Sequence, residues 1–134
     1  MTHNFLPDDD AAELQQIAGC EMIDLLLPDQ MGIPRGKRVT VDELAGVHRN
    51  GLLLPASMFA LDVLGGTVQA TGLGFDEGDA DRVCLPVPGS LATVPWLGGE
   101  IAQMQVAMYE HDRTPFYGEP RHALERIAMR FRDL

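Results

Sequence analysis

The chain has 134 residues and 46% hydrophobic content, which fits one domain with a modest core and argues against disorder. Its formal net charge of −10 argues against a nucleic-acid partner, because phosphate binding needs basic surface. No apolar run approaches the roughly 20 residues that cross a bilayer, and residues 1–10 lack the basic and apolar regions of a secretory signal. The expected location is the cytoplasm, with Cys20 and Cys84 as reduced, buried thiols.

In chain order, Pro7-Asp-Asp-Asp10 predicts the start of a helix with Leu14, Ile17 and Ala18 on its apolar stripe, stopped at Gly19. Residues 21–27 are an apolar run closed by Pro28-Asp29 and read as a buried strand. Gln30-Met31-Gly32 predicts a turn and residues 33–41 the return strand of a hairpin, with Pro34 near its start, where a missing donor is tolerated. Thr40 and Glu43 have capping-box spacing before a brief helix with Leu44 and Val47 inward and Gly51 as its stop.

Residues 50–96 are rich in Gly and Pro and show no amphipathic helix, and so long an irregular stretch points to function. Within it, residues 59–63 and 67–70 flank Leu64-Gly65-Gly66 as a predicted hairpin. Residues 72–79 read as an open loop, and 82–87 as a strand ended by Pro86 and Pro88. Residues 100–109 alternate cleanly, with Ala102, Met104, Val106 and Met108 on one face and Gln103 and Gln105 on the other. His111-Asp112-Arg113 predicts a turn, and Pro120 the first position of a last helix. Ala123, Leu124, Ile127, Ala128 and Phe131 form its apolar stripe, with Arg121, Arg126, Arg130 and Arg132 outside it. The chain stops at Leu134 with no Gly or Pro terminator, which leads us to expect that the natural polypeptide continues. Strands and helices mix without βαβ regularity, so the expected class is α+β, a sheet with helices packed on one face.

Familiar catalytic signatures are missing. There is no Walker-type loop, no GxGxxG, no HExxH and no zinc spacing. His3, His48, His111 and His122 lie far apart and are expected on the surface, and Ser57 and Ser90 lack a nucleophile elbow. Between Asn50 and Asp112 the one Lys or Arg is Arg82 against eight carboxylates, a field that attracts an amine or a metal if it is more than a solvated surface. Asp79 and Asp81 fall on one side of an extended segment and offer two oxygen ligands for a hard cation, too few to define a site. No catalytic residue is assigned to this chain alone, and no metal ligand.

Four blocks in order carry a resemblance: Ile23-Asp-Leu-Leu-Leu-Pro-Asp-Gln-Met-Gly-Ile-Pro-Arg-Gly-Lys-Arg38, Gly51-Leu-Leu-Leu-Pro-Ala-Ser57, Gly78-Asp-Ala-Asp-Arg-Val-Cys-Leu-Pro-Val-Pro-Gly-Ser90, and Tyr109 through Pro120-Arg-His-Ala-Leu124. Together they resemble the N-terminal domain of the glutamine synthetase family over residues 14–134, closest to its γ-glutamylputrescine synthetase-like branch. The resemblance implies a β-grasp fold over residues 1–134. It implies a separate C-terminal catalytic domain that binds ATP, glutamate and Mg²⁺ or Mn²⁺, and neighbouring subunits in a hexameric ring or a dodecamer. It also implies that this domain completes the amine or ammonia site of a neighbour. Glutamine-forming members carry an Asp where Pro55 stands here, and proline neither holds a cation nor accepts a proton. Asp81 matches a second family acid and Ser57 the serine of the same block. By resemblance, Ser57, Asp81 and Pro55 form the rim of the amine pocket, and the loss of the acid suits a carbon-bearing amine better than ammonium. The competing expectation is a stand-alone, non-catalytic β-grasp interaction module.

Overall fold

The computed structural model describes residues 7–74 and 78–133. His3, the loop acids Asp76 and Glu77, and the terminus at Leu134 lie outside the described residues. The elements are α1 (Pro7–Gln16), β1 (Met22–Pro28), β2 (Pro34–Thr40), α2 (Leu44–Asn50), β3 (Leu52–Pro55), β4 (Asp81–Pro86), β5 (Ala92–Thr93), β6 (Ile101–Tyr109) and α3 (Pro120–Arg132). They build an α+β fold around one mixed sheet of six strands, ordered β2-β1-β6-β4-β3 with β5 also on β6.

β6 is the spine of this sheet. One edge pairs parallel with β1, from Met22↔Ile101 to Leu26↔Gln105. The other pairs antiparallel with β5 at Ala102 and Gln103, then with β4 from Val106 to Tyr109. Residues 87–91 loop out between these partners. Ser90 keeps the ladder satisfied there: the Gln105 N–H donates to its Oγ at 3.0 Å, and that hydroxyl donates to the Val87 carbonyl at 2.7 Å. The expected alternation of β6 holds, with Ala102, Met104, Val106 and Met108 all at 1% exposure or less. Ile23, Leu25 and Leu27 of β1 join them in the core, each side chain stabilising by about 1.5–3 kcal/mol on burial.

The β1–β2 hairpin forms as the sequence predicts, and its turn is built on a buried acid. Asp29 Oδ1 accepts from the Met31 and Ile33 N–H groups at 2.8 and 2.9 Å, while Oδ2 pairs with Arg35 Nε at 2.7 Å. Burial works against the Asp29 charge, but Arg35 and the two amides outweigh it and hold its pKa below the usual carboxylate value. Gly36 lies opposite Leu26 with φ +153°, and a Cβ there would stand 1.7 Å from the Leu25 carbonyl oxygen, so no side chain fits. At the sheet's two outer edges, Lys37 Nζ of β2 donates to the Leu53 carbonyl of β3 at 3.3 Å, which nearly closes the sheet into a barrel.

Several expectations need correction. Residues 59–63 and 67–70 form only a minimal hairpin: the antiparallel bridge Leu61↔Thr67, with the Val68 N–H donating to the Ala60 carbonyl and the Asp62 N–H to the Gly66 carbonyl, while Ala56–Ala60 and Gln69–Thr71 are 3-10 turns. Asp62 Oδ1 accepts from the Leu64 and Gly66 N–H groups, so the Gly-Gly turn is present but the strands are not. β3 and β5 were not expected at all. The helix after Thr40 opens as a 3-10 turn over Val41–Glu43, with the Thr40 N–H donating to Glu43 Oε2 at 2.8 Å. Cys84 is buried as expected, but Cys20 is only half-buried.

Two histidines expected on the surface are buried. His48 is 8% exposed and its Nε2 lies 2.7 Å from Glu13 Oε2, which ties α2 to α1. His122 is 2% exposed and bonds the Met108 carbonyl through Nε2 at 2.8 Å. Each ring has a partner inside the protein through Nε2, which offsets part of the cost of its burial. α3 departs further from expectation. Its one buried residue is His122, while Leu124, Ile127 and Phe131 are 68%, 48% and 72% exposed. No helix among the described residues is long and apolar enough to cross a membrane.

Candidate functional site

β3 is short because Pro55 ends it: the ring lacks the N–H a ladder would use, and the chain leaves as the 3-10 turn Ala56–Ala60. Its four residues pair with β4 in the register Leu52↔Cys84, Leu53↔Val83, Leu54↔Arg82 and Pro55↔Asp81. Pro55 and Asp81, distant in sequence, therefore face each other across the last rung. The Ala56 N–H donates to the Ala80 carbonyl just beyond it, at 3.4 Å. The tight approach of Gly51 to β4 sets up this register, because a Cβ there would stand 2.6 Å from a Val83 methyl and 2.8 Å from the Cys84 carbonyl oxygen.

The three residues singled out by sequence thus fall on one end of the β3–β4 ribbon. Pro55 is half-buried, Asp81 is exposed, and Ser57 is 7% exposed in the 3-10 turn directly after Pro55. Phe59 of the same turn stacks on Phe116, ring centroids 5.8 Å apart. Arg82, next to Asp81, lays its guanidinium 5.4 Å from the Phe116 centroid, donates to the Ala80 carbonyl at 3.0 Å and pairs with Glu110 at 2.7 Å. The segment's one cation is thereby spent on Glu110 and the backbone, and Asp81 keeps an exposed carboxylate. Cys84, three rungs in, has its pKa pushed up to about 12, first by burial and then by the charges of Glu119 and Asp81.

Sequence reasoning passed over Arg82 as the organiser of this end and over Asp79 as a strained residue. Asp79 sits at φ 40°, in the left-handed region, and its Oδ1 is buried with no hydrogen-bond partner among the described residues. The Gly78-Asp79 sequence was the available signal, since Asp tolerates that conformation better than most residues. Among the described residues no group of three or more Asp, Glu, His or Cys side chains comes together to hold a metal ion. An open depression of about 410 Å³ on β1–β2, lined by Asp24, Leu26, Pro34, Gly36, Lys37 and Arg38, includes none of the three rim residues.

Two buried groups, Glu119 and His122, fix the end of β6 at Met108. Glu119, 1% exposed, accepts from the Met108 N–H at 3.0 Å through Oε2 and from the Arg121 N–H through Oε1, which caps α3. Burial raises its pKa, with partial relief from those amides and from His122 and Arg121. Arg121 also bonds the Gln105 side chain.

The chain is 40% identical over 120 residues to γ-glutamylputrescine synthetase PuuA of Escherichia coli (strain K12), covering 90% of this chain and 25% of the relative. It is 28% identical over 113 residues to glutamine synthetase of Methanococcus voltae, covering 82% and 22%. The chain thus spans about a quarter of the length of the curated relatives it matches. Among solved structures, a novel glutamine synthase homolog superposes with TM-score 0.74 at 21% identity, over 85% of this chain and 27% of that one. A GmaS/ADP complex superposes with TM-score 0.69 at 24% identity, over 93% and 25%. At these identities the two structures establish the fold. No family model matches the chain.

Proposed function

We infer that this chain, homologous along 90% of its length to enzymes of the glutamine synthetase family, is the N-terminal domain of a ligase of that kind. The full enzyme joins glutamate to an amine at the expense of ATP, and this domain supplies the rim of the amine pocket and part of the subunit interface. The single observation that carries the reading is the 40% identity to γ-glutamylputrescine synthetase over 120 residues.

The geometry fits a rim rather than a reacting centre. Asp81 presents an exposed carboxylate whose neighbouring cation is engaged elsewhere, which suits electrostatic attraction of a cationic amine. Pro55, its partner across the ladder, offers only an apolar ring. An Asp in that position would stand opposite Asp81 and make a two-carboxylate clamp for a small cation. With proline, one side of the clamp is apolar, which favours an amine carrying carbon. Ser57 lies one residue beyond Ala56 and contributes a hydroxyl to the same end.

The test is an amine panel on the ligase that carries this chain, with ammonia included. Organic amines should give the higher kcat/KM. Equal or better use of ammonia would overturn the assignment of Pro55, and ATP-dependent amide formation by residues 1–134 alone would overturn the placement of the reacting centre elsewhere.

A further inference from the structure

Arg82 stands next to Asp81 in β4, and successive side chains of a strand leave on opposite faces, so the guanidinium turns away from the Asp81 carboxylate. It ends where three segments of the chain converge. Nη1 donates to the Ala80 carbonyl at 3.0 Å, Nε ion-pairs with Glu110 at 2.7 Å, and the guanidinium carbon lies 5.4 Å from the Phe116 centroid. The Ala80 carbonyl also accepts the Ala56 N–H at 3.4 Å, and Ala56 sits between Pro55 and Ser57. Asp81 follows Ala80 directly. One oxygen therefore ties together the two segments that bear Pro55, Ser57 and Asp81, and Arg82 is its second donor.

Both supports of Arg82 are themselves anchored. Glu110 lies in a closed turn, where its N–H donates to the Thr114 carbonyl and its carbonyl accepts from the Arg113 N–H, each at 2.9 Å. Phe116 is fully buried and stacks on Phe59, two residues beyond Ser57 in the same 3-10 turn. The Arg82 and Glu110 side chains are 21% and 35% exposed, so their ion pair adds little to global stability and its consequence is local. Glu110 also neutralises the one cation beside Asp81, which keeps the field at that carboxylate attractive to an amine.

We propose that Arg82, held by Glu110, is a positioning residue of the amine rim: it fixes the Ala80–Asp81 backbone against the Phe116–Phe59 stack, and with it the placement of the Asp81 carboxylate relative to Ser57. The proposal rests on the ligase reading above.

The experiment uses the full-length protein and two variants: Arg82→Met, which keeps an apolar stem over Phe116, and Glu110→Gln, which removes only the partner charge. Arg82→Met should raise KM for the amine about tenfold, while kcat at saturating amine and the KM values for glutamate and ATP stay within about twofold. Glu110→Gln should raise the amine KM about threefold, and the double variant should be no worse than Arg82→Met, because both act through one contact. Amide hydrogen exchange gives a readout independent of turnover: Ala56 should exchange about tenfold faster in Arg82→Met, with β6 unchanged. Unchanged exchange at Ala56, multiplicative effects in the double variant, or an equal rise in all three KM values overturns the proposal, the last being what a merely structural residue gives. If Arg82→Met does not fold, Glu110→Gln decides by the same readouts. Asp81→Asn separates this proposal from the reading beneath it. A raised amine KM in Asp81→Asn with none in Arg82→Met removes Arg82 alone. Faster exchange at Ala56 with no effect on the amine from either variant removes the rim reading and leaves the clamp as a structural contact.

Discussion

Pro55 and Asp81 face one another as the last rung of the β3–β4 ladder, the ring on one strand opposite the carboxylate on the other. A single substitution at this rung therefore alters the charge at this end of the ribbon without touching the core. On the proposed function, Asp81→Asn in the full-length protein should raise KM for a cationic amine about tenfold while leaving thermal stability unchanged, since the side chain is exposed. Pro55→Asp should shift preference toward ammonia by building the second carboxylate. Steady-state kinetics with paired amines read both, and an unchanged amine KM in Asp81→Asn would remove the residue from the rim.

The hairpin turn depends on Asp29. Asp29→Ala removes two amide bonds and the Arg35 partner from a buried site and should destabilise by about 2–3 kcal/mol, measured by urea unfolding at pH 7. Its folded pKa is depressed, so its contribution is fully present above the unfolded value near 3.9 and is lost as pH falls through the lower folded value. The stability difference between wild type and Asp29→Ala should hold steady from pH 7 to about 5 and shrink below pH 4.

Glu119 should behave in the opposite way. Its folded pKa is raised, so the folded state binds a proton more readily than the unfolded chain, and stability falls as pH rises from about 4.3 through the folded value. Glu119→Gln keeps an oxygen for the Met108 N–H and removes that dependence, so wild type should lose stability relative to this variant over that window. Glu119→Ala leaves the amide of Met108 unpaired and should cost about 1–3 kcal/mol near pH 4, a difference that narrows as pH rises through that window. Parallel pH profiles for wild type and Glu119→Gln would contradict the assignment.

Gly36 admits no side chain. Gly36→Ala places a methyl 1.7 Å from the Leu25 carbonyl oxygen and should destabilise by about 3 kcal/mol or more, by separating β2 from β1. A variant within 1 kcal/mol of wild type in urea unfolding would show that the hairpin can shift to make room.

The two thiols should differ in reactivity. Cys84, buried and with its pKa pushed up to about 12, presents almost no thiolate at pH 8, while half-buried Cys20 is reachable. Iodoacetamide on the native chain should add one adduct at Cys20, and a second at Cys84 only after denaturation, as read by intact and peptide mass spectrometry.

Much of the strand framework was legible in the residues. The period-two alternation of β6 named its buried face correctly, and Pro28-Asp29 followed by Gly32 marked the hairpin turn. The blocks that resemble glutamine synthetase gave the β-grasp fold. β3 was missed because three leucines before a proline have no period to read, and β5, at two residues, exists only because β6 offers it a partner. His48 and His122 looked like surface residues because their partners, Glu13 and Met108, are brought to them by folding.

By itself, then, the sequence determined local periodicity, turn chemistry and kinship, since each resides in neighbouring residues or in their order. Only the tertiary structure decided that Pro55 meets Asp81, that Arg82 is spent on Glu110, and that α3 turns its apolar stripe away from its own core. Helical periodicity shows that an apolar face exists, but which surface that face meets depends on contacts between segments far apart in the chain.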